Sequence, residues 1–125
     1  MMAEIHLPHD HGHGNEAHIL SHLPKAEAMQ EAAELFKQLS DGTRIRIFWI
    51  LCHCEECVIN LSAMMEMTSP AVSHHLKQLK SAGLIVSRRD GKEVYYKAAD
   101  TRQVQLLHRM IETFVEMNCP LEGRS

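Results

Sequence analysis

The chain has 125 residues, enough for one domain with a core and too few for two. Its 45% apolar and 23% charged content is that of a globular protein, not of a disordered or collagen-like chain. No apolar run reaches the roughly 18–20 residues of a membrane span, and no apolar stretch follows a basic start, so the expected compartment is the reducing cytoplasm, away from membranes. The net charge of −3 hides an uneven distribution. Residues 1–69 hold 4 Lys/Arg against 10 Asp/Glu, residues 70–97 hold 6 against 2, and residues 98–125 hold 3 against 4. One stretch is therefore basic, and local charge is what a polyanion meets.

Residues 1–24 read as a flexible arm, with His6, His9, His11, His13, His18 and His22 among prolines and glycines and no helical or strand period. Lys25 to Leu39 carries Met29, Ala32, Ala33, Phe36 and Leu39 at helical steps. Asp41 is placed to cap a second helix that bears Ile45, Phe48, Trp49 and Leu51 and ends near Cys52. After a segment dense in Cys and Glu, Asn60 is expected to cap a short helix through Leu61, Met64 and Met65. Thr68 or Ser69, with Pro70 in the first turn, opens the next helix, which runs through Val72, Leu76 and Leu79 to Ala82 and stops at Gly83. Two short helices in succession, the second opening with Ser-Pro, form a helix-turn-helix pattern.

Beyond Gly83 the period changes to two. Leu84–Arg88 and Glu93–Lys97 flank Asp90-Gly91, a hairpin signal. Asp100 or Thr101 then caps a last helix with a wide apolar face: Val104, Leu106, Leu107, Met110, Ile111, Phe114 and Val115. The order predicts a mainly α fold with one β-hairpin. It is a winged helix-turn-helix over residues 25–118, with an extra helix at each end and a short tail at 119–125.

Leu39-Ser40-Asp41-Gly42-Thr43-Arg44, Glu56-Cys57-Val58-Ile59-Asn60-Leu61, Ser69-Pro70-Ala71-Val72-Ser73-His74-His75-Leu76, Gly83-Leu84-Ile85 and Gly91-Lys92-Glu93-Val94-Tyr95-Tyr96 resemble the ArsR/SmtB family of metal-sensing repressors. The resemblance spans about residues 26–118 and implies a homodimer joined by its first and last helices, bound to double-stranded operator DNA until an inducer arrives. In that reading the polar face of the Thr68–Ala82 helix meets DNA: Ser69, Ser73, His74, His75, Lys77, Gln78 and Lys80. Gln78 suits adenine and His74 a purine, while Arg88, Arg89 and Lys92 on the wing suit phosphate or the minor groove. His74 and His75 are adjacent and so face different sides of the helix.

The resemblance also implies places for a metal. One family site on the last helix needs histidines where this chain has Arg102 and Thr113 beside Asp100 and Glu116, so that site is lost. Neighbouring His108 and Glu112, at i, i+4 spacing, are expected to share a surface hydrogen bond. A second family site uses a Cys-x-Cys pair joined by an amino-terminal arm. Here Cys57 survives, its partner position is Ile59, and Cys52 and Cys54 lie just upstream. Cys54 and Cys57 have a spacing that lets both sulfurs reach one ion, with Cys52 either a third ligand or a small core residue and Cys119 a possible addition. Arm residues His9, His11 and His13 are the expected nitrogen ligands. Such a set suits zinc, cadmium or another thiophilic ion, and the arm alone suits nickel, cobalt or copper.

The expected function is a metal-responsive repressor. Two alternatives share parts of the same chemistry: a repressor released by oxidation of its thiols, and a metal-buffering protein using the histidine arm. An enzyme is not expected, since no nucleophile–base pair or phosphate-cradling loop stands out.

Overall fold

A computed structural model describes residues 6–9, 11–12 and 14–116. The chain forms two units, residues 1–33 and 34–125. The first holds a short helix, α1 (Glu16–Ser21), which the arm was not expected to contain, and the start of α2 (Ala26–Gln38). α1 buries no residue. It is closed by local bonds: Glu16 lies in its first turn, and the Ser21 hydroxyl donates to the His18 carbonyl at 2.6 Å.

The second unit continues with α3 (Gly42–His53), β1 (Glu56–Cys57), α4 (Val58–Met65), α5 (Ser69–Ser81), β2 (Ile85–Asp90), β3 (Glu93–Ala98) and α6 (Arg102–Phe114). Three of the expected caps are made. The Asp41 carboxylate accepts from Arg44 N at 3.0 Å, Thr68 Oγ1 from Ala71 N at 3.3 Å and Thr101 Oγ1 from Val104 N at 3.2 Å. Gly83 ends the α5 segment at φ +75°, and Gly91 turns the hairpin at φ +64°, values that a side chain would strain.

Two boundaries differ from expectation. α4 begins at Val58 with Cys57 in the cap position, and Asn60 lies inside it, donating from Nδ2 to Glu56 Oε2 at 2.9 Å. The hairpin gains a third strand: β1 pairs antiparallel with β3, Glu56 opposite Tyr96 and Cys57 opposite Tyr95, giving the order β1-β3-β2. Two residues carry no alternation to read, so only the partner strand defines β1.

The core is continuous through these elements. Ile47, Phe48 and Leu51 of α3 meet Leu61 of α4, Val72, Leu76 and Leu79 of α5, Leu84 and Ile85 at the strand entry, and Val104 and Leu107 of α6. α5 is thus held by an apolar stripe while its other faces stay polar. Among the described residues no helix is long and apolar enough to cross a membrane.

Leu79 is wholly buried and anchors the carboxyl-terminal half of α5. Leu79→Ala is expected to lower unfolding free energy by about 2–5 kcal/mol in urea titrations, since the site sits amid packed neighbours that collapse only partly.

Candidate nucleic-acid interface and metal-ligating residues

The Thr68 cap and Pro70 start α5 abruptly, which presents its first turns as a free end. Ser69, Ser73, His74, Lys77 and Lys80 are exposed there. Three of the expected contact residues of α5 bond within the protein: Ser69, whose hydroxyl lies 3.2 Å from that of Ser62, His75 and Lys80. Arg44 of α3 donates from Nε to His75 Nδ1 at 3.2 Å and from Nη1 to Gln38 Oε1 at 2.9 Å. His75 is therefore turned onto α3 and is half-buried, and burial first, then the Arg44 and His74 charges, hold its pKa below the usual 6.5, with Asp41 pulling the other way. Gln78 is half-buried and lines a cleft with Gln38, Asp41 and Arg44. Lys80 Nζ donates to Ser87 Oγ at 2.7 Å, which ties α5 to β2.

The wing is more occupied than its charge suggests. Arg88 forks onto Glu55, Nε to Oε2 at 3.0 Å and Nη2 to Oε1 at 2.6 Å, and its guanidinium lies 4.9 Å from the centre of the Tyr95 ring. The pairing holds the Glu55 carboxyl below its ordinary range and raises Arg88. Arg89 and Lys92 remain exposed at the hairpin.

The expected metal ligands differ in exposure. Cys54 is exposed, Cys52 half-buried and Cys57, the second residue of β1, buried. Burial, then the Glu56 carboxylate, raises the Cys54 thiol above its ordinary value. His9 and His11 are exposed, with ring centres 6.0 Å apart. His13 and Cys119 lie outside the described residues. On the last helix Asp100 Oδ1 accepts from Gln105 at 3.3 Å, and the Thr113 hydroxyl donates to the Arg109 carbonyl at 2.8 Å.

Among the described residues one trio of ligand-bearing side chains does converge, and it contains no cysteine: His53, His108 and Glu112, whose ligand atoms all lie within 4.8 Å of one another. The expected surface hydrogen bond between His108 and Glu112 is a buried one. Glu112 is only 7% exposed, because Trp49 and His53 of α3 close over it. His108 Nε2 stands 3.1 Å from Glu112 Oε1 and 3.2 Å from His53 Nε2, and His53 Nε2 is 3.8 Å from Glu112 Oε2. The Trp49 indole donates to Glu112 Oε2 at 3.1 Å. The His53 Nδ1–H donates to the Trp49 carbonyl at 2.7 Å, which turns Nε2 toward the other two side chains. Beside the trio a cavity of about 330 Å³ is lined by Cys52, His53, Cys54, Asp100, Gln105 and His108. Sequence reading passed over His53. Its signal was a pair of i, i+4 patterns, Trp49/His53 and His108/Glu112, on helices that face each other.

Two expectations follow. Glu55→Gln frees Arg88, so duplex DNA binding should tighten and its log–log salt slope should steepen by about 1, as read by anisotropy across a salt series. His75 has its pKa lowered, so its contribution to stability is complete above 6.5 and is lost as the pH falls from there through the lower folded-state value. His75→Gln keeps an acceptor for Arg44, and its urea midpoint should fall less than that of the parent between about pH 7 and about pH 5.

Comparison with known proteins agrees with this architecture. The family profile described as "Bacterial regulatory protein, arsR family" matches residues 41–87. The chain is 38% identical over 87 residues to the transcriptional repressor SmtB homolog of Synechocystis, a match covering 70% of this chain and 66% of that protein, so it spans just under two thirds of that relative's length. It is 34% identical to the arsenic resistance transcriptional regulator ArsR2 of Pseudomonas putida, over 68% of this chain and 74% of that one. Among solved structures, a homodimeric winged helix-turn-helix DNA-binding domain from Mycobacterium bovis, a possible ArsR-family regulator, superposes with a TM-score of 0.66 at 28% identity, covering 73% of this chain and 83% of that one. The family is one of transcriptional regulators and not of enzymes. The fold, the motif order and these relatives together make this chain a member of the arsR family of bacterial regulatory proteins.

Proposed function

We propose that two copies of this chain bind a two-fold-symmetric operator and repress transcription until a metal ion releases them. The observation that carries the reading is the capped, exposed start of α5, with Ser69, Ser73, His74 and Lys77 on one side and an apolar stripe holding the helix from the other. The exposed Arg89 and Lys92 of the wing extend the basic surface to neighbouring phosphates. The metal enters from the relatives, one of which is named for arsenic resistance and another, 38% identical over 80 residues, for cadmium resistance.

Pairing of two copies is supported by the apolar surface left in water. Leu106 is 51%, Phe114 78% and Val115 58% exposed on or just after α6. Phe36, Leu39, Ile45, Met110 and Ile111 line a groove alongside them. A helix with an apolar face this wide has more to cover than its own core can take.

Thiol oxidation as the stimulus is the weaker reading. Oxidation sensors rely on accessible thiols with lowered pKa values. Here Cys57 is buried and the Cys54 thiol is raised.

The test is fluorescence anisotropy of a labelled duplex, selected from a random pool by the full chain. Binding should be salt-dependent, and metal should weaken it about 5–150-fold, the usual range of such couplings. Lys77→Ala should weaken all sequences alike and reduce the salt slope by about 1. Metal uptake without any salt-dependent duplex binding would instead make the chain a metal buffer.

A further inference from the structure

We infer that His53, His108 and Glu112 form a binding site for a divalent cation of the zinc and cobalt(II) class, between α3 and α6 of a single chain. The inference deepens the regulator reading, and only its role as the sensing site rests on that reading.

The geometry is the first support. His108 Nε2 stands 3.1 Å from Glu112 Oε1 and 3.2 Å from His53 Nε2, which is 3.8 Å from the other carboxylate oxygen, Oε2, and one ligand atom from each of the three residues lies within 4.8 Å of the other two. A tetrahedral site with bonds of about 2.0–2.1 Å has ligand–ligand edges of about 3.3–3.4 Å, so the two edges that meet at His108 Nε2 are close to that length and a small turn of the Glu112 carboxylate or the His53 ring would close the third. Hydrogen bonding alone accounts for less. A neutral His108 carries at most one proton at Nε2, and that one proton faces both Glu112 Oε1 and His53 Nε2, whereas a cation would take a lone pair from each of the three residues.

The surrounding bonds are the second support. Ligating histidines commonly donate their other ring N–H to a carbonyl or carboxylate, which fixes the tautomer and aims the ligating nitrogen. His53 does this through Nδ1 to the Trp49 carbonyl. Glu112 is oriented by the Trp49 indole N–H. One residue thus positions two ligands from the same helix turn.

The donor set names the class of ion. Two imidazoles and a carboxylate suit a borderline divalent ion better than a soft one such as cadmium, which prefers thiolate. The ligands come from both helices, α3 through His53 and α6 through His108 and Glu112. An ion would therefore set the position of the last helix relative to the helix-turn-helix. His53 also ends α3 two residues before Glu55, whose carboxylate holds Arg88 of the wing.

The chain's single tryptophan makes the site readable, because Trp49 lies 4.2 Å from the His53 ring, centre to centre. Cobalt(II) bound there should quench its fluorescence, saturating at one equivalent per chain. His108→Gln and Glu112→Gln should each weaken the quench at least tenfold in cobalt concentration. Glu112→Gln keeps an acceptor for the indole, and circular dichroism of both variants checks that they fold. Cys54→Ser should quench like the parent. No saturable quench in the parent, a quench that survives in a folded His108→Gln, or one lost in Cys54→Ser would overturn the site. Duplex anisotropy with zinc separates the two readings: quenching with unchanged duplex affinity keeps the site and removes its sensing role.

Discussion

A buried carboxylate is costly unless it is partnered, and Glu112 has the Trp49 indole N–H on Oε2 and His108 Nε2 3.1 Å from Oε1, with His53 Nε2 3.8 Å from Oε2. The Trp49 indole, His53 and His108 surround it, so α6 has one rotational setting against α3 that satisfies it. Apolar packing alone is less selective. Val104 and Leu107 would accept small rotations of α6, but a carboxylate shielded from water would lose its partners. α6 also carries the exposed Leu106 and Phe114, so whatever fixes its setting also fixes how that apolar surface is presented.

α3 links the two ends of the molecule's chemistry. Its amino-terminal half, through the Asp41 cap and Arg44, holds His75 on the inner side of α5. Its carboxyl-terminal half, through Trp49 and His53, holds Glu112 and His108 of α6. The residues that follow it reach the wing through the Glu55–Arg88 fork. A change at His53 therefore has short physical routes both to the last helix and to the hairpin. In allosteric terms, an ion favouring one arrangement of these contacts shifts the chain between states only by its difference in affinity for them.

Much of this was legible in the sequence because it is local. Asp41, Thr68 and Thr101 bond to backbone three residues ahead, and Gly83 and Gly91 mark positive φ where the pattern changes. These signals span a few residues and need no tertiary partner. What stayed hidden depends on partners far along the chain. β1 exists only because β3 pairs with it. Arg88 looked like a phosphate ligand, and a carboxylate 33 positions away neutralises it. Glu112 looked exposed because a helix with apolar residues on several sides does not say which edge meets α3. The spacing of Cys52, Cys54 and Cys57 is visible in the sequence, whereas the burial of Cys57 within β1 and, among the described residues, the convergence of His53, His108 and Glu112 depend on tertiary partners.

Zinc K-edge X-ray absorption on the full chain, reduced and loaded with one equivalent, tests the central claim most directly. The account predicts a first shell of nitrogen and oxygen at about 2.0–2.1 Å with two imidazoles, and loss of one imidazole in His108→Gln. A sulfur shell at about 2.3 Å that disappears in Cys54→Ser would contradict it, returning the metal to the thiolates.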